Sequence, residues 1–140
     1  MSYTIKEVSE MTGIPASTIR YYDKMGLLPF VERGPHGYRA FSRENLRTLR
    51  LVECLKSTGM SLENIRTFFE WVMQGESTMQ RRYEMYLEQR RSVEEQIKQL
   101  QKTLEIIDYK CELYETAIRT GTADLYENAP ERDDPLSADF

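Results

Sequence analysis

Between Met79 and Ile118, apolar or aromatic side chains fall at positions 79, 83, 86, 93, 97, 100, 104, 107, 111, 114 and 118. The steps alternate four and three residues, with one gap at Arg90. No other feature constrains the fold as strongly. A heptad seam kept up for more than five repeats predicts one continuous helix. At about 1.5 Å per residue such a helix is on the order of 60 Å long. The 75 residues that precede it cannot cover a stripe of that length. The seam therefore calls for a second copy of the chain, as a two-fold homodimer. Its expected members are Met79, Tyr83, Tyr86, Val93, Ile97, Leu100, Leu104, Ile107, Cys111 and Tyr114.

The preceding residues read as four short helices and a hairpin. Thr4 is a candidate N-cap for a first helix through Ile5, Val8 and Met11, stopped by Gly13. A second runs from about Pro15 to Lys24 with Ile19 and Tyr22 inward, and Gly26 ends it. Two short helices about a Gly-containing turn make a helix-turn-helix pattern. Phe30–Arg33 then extends, "GPHG" turns the chain, and "YRAF" extends again, as a hairpin wing would. Ser42 caps a third helix ending at Gly59, with Leu46, Leu49, Val52 and Leu55 inward. Ser61 caps a fourth, carrying Leu62, Ile65, Phe68, Phe69 and Val72 to Gly75. The expected fold class is mainly α, with a winged helix-turn-helix head over residues 1–75 and a dimerisation helix over 76–120. An acidic flexible tail is expected over 121–140, because it holds six acids, one base and two prolines.

Charge enters here. The net value of −4 argues against a nucleic-acid partner until the chain is divided. Residues 1–75 hold ten Lys/Arg and eight acids, a net of +2, while the remainder carries −6. Within the head, "STIRYYDKMGLLP" (17–29) gathers two small hydroxyls, an arginine and two tyrosines on one short helix, which suits a polar, anionic partner. No apolar run approaches the roughly 20 residues needed to cross a bilayer, and no secretory signal is visible, so a cytoplasmic protein without membrane partners is expected. Two cysteines without a Cys-x-x-Cys argue against a disulfide scaffold or thiolate metal site. His36, the one histidine, reads as a wing-tip turn residue. There is no nucleophile with a base partner, no paired-carboxylate pattern and no Gly-rich phosphate loop, so neither an enzyme nor a cofactor is expected.

With "TIKEVSEMTGIPASTIRYYDKMGLL", "GYRAFS" and "LKSTGMSLENI" added to this order of parts, residues 1 to about 120 resemble the MerR-type transcriptional regulators. The resemblance implies that the second helix enters the major groove of double-stranded promoter DNA and that the wing lies against the backbone. Carried over by motif position, Arg20 and Tyr21 face DNA, with Ser17 and Thr18 near phosphates or base edges. Tyr38 and Arg39 match the wing's phosphate-contacting pair. Thr4, Arg33, Arg43 and Lys56 are further candidates, and Tyr22 is expected to pack inward. The resemblance also implies an antiparallel dimer helix, in which Cys111 faces roughly Tyr86 of the partner subunit as a small buried hydrophobe. Two heads on one dimer would bend and untwist the promoter when an effector acts, serving RNA polymerase indirectly through the DNA.

The effector is less constrained. The stretch after residue 118 has no cysteine or histidine, which argues against the family's metal sensors, and it is too short for the large drug-binding domain of other members. Trp71, Tyr83, Tyr86, Tyr109 and Tyr114 could line a small pocket for an organic ligand, although their spacing suits packing. "LVECLKSTGMS" is similar to a single-thiol subgroup in which a cysteine at this position accompanies responses to nitric oxide, aldehydes and other electrophiles. Cys54, with Arg50 one turn back, is thus the candidate sensing residue, and an inert half-buried cysteine is the alternative. A helical protein-interaction module is the competing class of function.

Overall fold

The computed structural model describes residues 1–130 and 132–137, in two compact units, 1–90 and 91–140. Glu131 and Asp139 of the acidic tail fall outside the described residues.

The first unit holds α1 (Ile5–Thr12), α2 (Ala16–Lys24), β1 (Glu32–Arg33), β2 (Arg39–Ala40), α3 (Arg43–Ser57), α4 (Leu62–Gln74) and the first turns of α5 (Met79–Thr120). Each helix starts where local chemistry dictates. The Thr4 hydroxyl accepts from the Glu7 amide, and Ser61 does the same for Asn64. Gly13 ends α1 at φ 75°, a left-handed conformation that glycine takes without steric cost, and its N–H donates to the Ser9 carbonyl. α2 begins at Pro15 without a side-chain cap. β1 and β2 pair antiparallel, Glu32 opposite Ala40 and Arg33 opposite Arg39. Beyond the wing, Tyr3 and Phe41 exchange backbone hydrogen bonds of 2.7 and 2.9 Å, tying the start of the chain to the wing's exit.

α3 carries a reciprocal cap. The Ser42 hydroxyl accepts from the Asn45 amide, and the Asn45 side-chain oxygen accepts from the Ser42 N–H at 2.8 Å. Asn45 is buried, so its side chain has no water to fall back on. Asn45→Ala is expected to cost about 1–2 kcal/mol by losing this cap. An unchanged urea midpoint in equilibrium unfolding would refute that.

The core of the first unit is built from Val8, Ile19, Tyr22, Leu27, Phe41, Leu49, Val52 and Ile65, all fully buried, with Phe68 and Phe69 edge-on beside them. Met11, expected inward, is instead exposed; α1 ends one residue later, and Ile14 fills the core beyond the turn. A 3-10 turn, Glu76–Thr78, leads into α5, with Thr78 buried and its hydroxyl donating to the Trp71 carbonyl. Met85 of α5 packs on the core, and the Tyr86 ring meets Phe68 edge-on at 5.3 Å. These packing interactions explain why residues up to Arg90 cluster with the head.

In the second unit, α5 continues to Thr120 and the chain then turns back along it. Tyr109, Leu113 and Ala117 are buried there. Arg132 pairs with Glu112 at 3.1 Å and lies over the Tyr109 ring, and the Lys110 amine donates to the Tyr126 hydroxyl at 3.2 Å. These contacts tie Arg132 and Tyr126 to α5, while most of the described tail residues stay exposed. Ile97, Leu100, Leu104, Ile107, Cys111, Tyr114 and Ile118 of the heptad seam are exposed in the single chain. Cys111, expected to be covered by the partner subunit in the seam, is exposed in the single chain like its seam neighbours.

Candidate nucleic-acid interface

α2 buries Ile19 and Tyr22 and turns Ser17, Arg20, Tyr21 and Lys24 outward. This division follows from helical periodicity: 19 and 22 share one face, while 17, 20, 21 and 24 share the other. The wing rises beside the outward face. Between them lies an open concavity of about 570 Å³, lined by Ser17, Arg20, Tyr21, Asp23, Lys24, Val31, Arg33 and Arg39. Four cations against one carboxylate leave it positive, so the weak charge surplus of the head is concentrated at one place.

Asp23 organises this surface. Arg39 Nε donates to its carboxylate at 2.6 Å, with both side chains mostly covered, and Arg33 Nη2 lies 4.0 Å away. Arg33 also donates from Nη1 to the Gly37 carbonyl at 2.8 Å, bracing the wing turn. Gly37 has φ 77° there, which only glycine adopts easily. The wing is therefore pinned to α2 by an ion pair that spans 16 residues.

A second tether joins α2 to α3. The buried Tyr22 hydroxyl donates to the Glu53 carboxylate and accepts from the Lys56 amine at 2.9 Å. Burial pushes the Tyr22 phenol above its usual pKa, Glu53 adds to the rise and Lys56 opposes it. The hydroxyl thus keeps the proton it donates. The hydrogen bond to Tyr22 in turn raises Lys56.

The structure sorts the expected DNA-contacting residues. Ser17, Arg20, Tyr21, Arg33 and Arg39 come together around the concavity. Among the described residues Arg20 has no hydrogen-bond or ion-pair partner, so its guanidinium is available. Tyr38 stands 78% exposed on the wing, near its tip. Arg39 is committed to Asp23, which makes it the wing's anchor as well as a phosphate candidate. The Thr4 hydroxyl is used in capping α1, and Thr18 is half-buried on α2. Lys56 is exposed but held by Tyr22. Arg43 is not at the concavity; with Met11, Leu46, Arg47 and Arg50 it lines a separate groove on α3. Sequence reasoning passed over Lys24 and Asp23. Lys24 follows Arg20 by one helical turn and was legible from that spacing, whereas the role of Asp23 depends on a partner distant in sequence.

Cys54 is exposed on α3, on the same outward stripe as Arg43, Arg47 and Arg50. Its carbonyl accepts from the Ser57 hydroxyl at 2.7 Å. One turn further on, the Gln89 amide of α5 donates to the Thr58 hydroxyl. Burial raises the Tyr86 phenol, and the neighbouring Cys54 adds to the rise. The groups His, Cys, Asp and Glu form no cluster of three or more suited to a metal among the described residues. No helix among them is long and apolar enough to cross a membrane.

Known proteins share this fold. The family described as MerR HTH family regulatory protein matches residues 3–70, and that described as MerR, DNA binding matches 46–108. An uncharacterized HTH-type transcriptional regulator of Haemophilus influenzae is 40% identical over 122 residues, covering 87% of this chain and 90% of its own. The HTH-type transcriptional regulator AdhR of Bacillus subtilis is 28% identical over 86 residues, 61% of each chain. Among solved structures, HiNmlR, a MerR family regulator lacking the sensor domain and bound to promoter DNA, is similar with a TM-score of 0.82. It is 40% identical, over 87% of this chain and 97% of that one. A MerR family transcriptional regulator from Bacillus thuringiensis gives a TM-score of 0.73 at 40% identity, over 79% and 97%.

Proposed function

The chain belongs to the MerR family of helix-turn-helix regulatory proteins, and from that premise we propose that it is a DNA-binding transcriptional regulator acting as a homodimer on a near-palindromic promoter site. The observation that carries this reading is the positive concavity between α2 and the wing, pre-shaped by the Asp23–Arg39 pair, with an unpartnered Arg20 in its wall. In it, α2 sits in the major groove, Arg20 reads a base, and Lys24, Arg33 and Tyr38 position the backbone. The exposed seam of α5 supplies the second copy, in an antiparallel pairing. The two heads then bend and untwist the DNA between them, and polymerase responds to the altered promoter rather than to the protein directly. Such a regulator works in the cytoplasm.

Cys54 is the sensing residue in this reading, and electrophiles such as aldehydes or nitric oxide donors are its effector class. Its exposure supports this, as does its place beside Tyr86 of α5: an adduct there lies against the helix that joins the two heads.

The test is binding to the fragment upstream of the protein's own gene at two salt concentrations, followed by transcription in vitro with and without formaldehyde. Tight binding that weakens steeply with salt is expected, together with a formaldehyde response absent from Cys54→Ala. Salt-independent or absent binding would overturn the regulator reading and favour an interaction module. A response retained in Cys54→Ala would overturn the sensor assignment alone.

A further inference from the structure

We propose that Asp23 is a positioning residue that sets the preference for operator over other DNA, by fixing the direction in which Arg39 offers its charge. The proposal rests on the DNA-binding reading above and lies wholly within the first unit.

The wing carries an electrostatic problem. Arg33 and Arg39 stand opposite one another in the hairpin register, and like charges directly opposite on paired strands repel. Asp23, in the last turn of α2, answers both. Its Oδ2 accepts from Arg39 Nε at 2.6 Å and lies 4.0 Å from Arg33 Nη2. The two pairs are unequal. Arg39 and Asp23 are 18% and 21% exposed, whereas the Arg33 side chain is 56% exposed. Shorter and better screened from water, the Arg39 bond is the stronger.

An acid is a costly lining for a cleft that receives a polyanion. Asp23 repels phosphates and offsets one of the four cations around it. Its use lies in the shape of the guanidinium, a rigid planar fork with five N–H donors. Asp23 takes the Nε–H. Fixing that bond fixes the plane, and with it the direction of the terminal amines that engage a phosphate. A phosphate at that one place meets an arginine already ordered, so little side-chain entropy is lost on contact. A phosphate elsewhere in the cleft meets the Asp23 charge instead. When α2 is seated on its operator, phosphates occupy fixed positions relative to the wing. Non-specific complexes slide through many registers. The carboxylate favours the first and disfavours the second, which is specificity by penalty as well as by attraction.

The experiment measures anisotropy of the full-length protein on two labelled duplexes over a series of salt concentrations. One is the fragment upstream of its own gene, the other a scrambled duplex of equal length and composition. Asp23→Asn keeps the shape of the side chain and an acceptor oxygen but removes the charge. It is expected to bind the scrambled duplex more tightly, with a salt slope steeper by about one unit per head, and the upstream fragment no more tightly. The preference between them should fall roughly tenfold, the worth of one charge-assisted hydrogen bond. Arg39→Lys leaves Asp23 in place but offers a single ammonium, which serves either Asp23 or a phosphate. It should lose about tenfold on the upstream fragment and little on the scrambled one, and it decides the matter if Asp23→Asn fails to fold. In an Arg39→Ala background, Asp23→Asn should leave the preference within about twofold, because the effect passes through Arg39. Parallel weakening on both duplexes by Asp23→Asn would reduce Asp23 to a brace for the wing, and parallel strengthening would reduce it to simple repulsion. Either overturns the proposal, as does an Arg39→Lys variant with the wild-type preference. A wild-type protein that binds both duplexes equally, or neither, overturns the regulator reading beneath it.

Discussion

In the proposed antiparallel homodimer, replacing Ile97 and Leu104 together by glutamate is expected to turn a dimer into a monomer of 16.5 kDa. Both side chains stand at least half exposed in the single chain, so the change removes nothing from the core of either unit. Both lie near the middle of the seam, where an antiparallel partner covers them from either end. Burying a Leu or Ile side chain contributes about 1.5–3 kcal/mol, and two-fold symmetry places four such side chains at the interface. The loss is thus on the order of 6–12 kcal/mol before the mutual repulsion of four carboxylates is added. A dimer with nanomolar dissociation, about 12 kcal/mol, would not survive at micromolar concentration. Analytical ultracentrifugation checks the mass. Promoter affinity should fall at least about 100-fold with it, because one head grips only half a site. A double variant that still sediments as a dimer would show that the seam is not the interface.

Arg20→Ala is expected to weaken promoter binding by about 1–3 kcal/mol for each half-site, so by roughly 30-fold or more for the dimer. The effect should depend on sequence: a base substitution at the position Arg20 reads should cost the wild type affinity and cost the variant little. Lys24→Ala provides the contrast. It lines the same concavity one turn further along α2, and a backbone interaction there should lower affinity evenly across sequences. It should also flatten the plot of log affinity against log salt by about one unit for each phosphate that is no longer neutralised. Fluorescence anisotropy on matched and mutated operators separates the two. Equal weakening on all sequences for Arg20→Ala would assign it to the backbone instead.

Much of this surface is legible in the residues alone. Thr4, Ser42 and Ser61 announce helix starts because a side-chain oxygen beside an apolar-periodic segment has one obvious use. The α2 face can be divided because Ile19 and Tyr22 leave Ser17, Arg20 and Tyr21 only one side to occupy. The glycine-rich wing tip marks its turn for the same kind of local reason. What stays hidden depends on partners far along the chain. Asp23 looks like a charge at a helix end until Arg39 arrives. Lys56 looks like a free cation until Tyr22 claims it. The tail's partners are hidden for the same reason: Tyr126 meets Lys110, and Arg132 meets Glu112 and the Tyr109 ring, each far back along the chain.

The Asp23 clamp has a mechanical consequence. A hairpin of two-residue strands would ordinarily be a compliant finger that yields when a phosphate backbone pushes on it. Here the finger is bolted to the recognition helix, and the helix is bolted through Tyr22 to α3. Load applied at the wing therefore reaches the body of the head instead of being absorbed by the hairpin. In the proposed mechanism the head then acts as a stiff lever, and a rotation of its base is delivered to the double helix with little dissipated on the way.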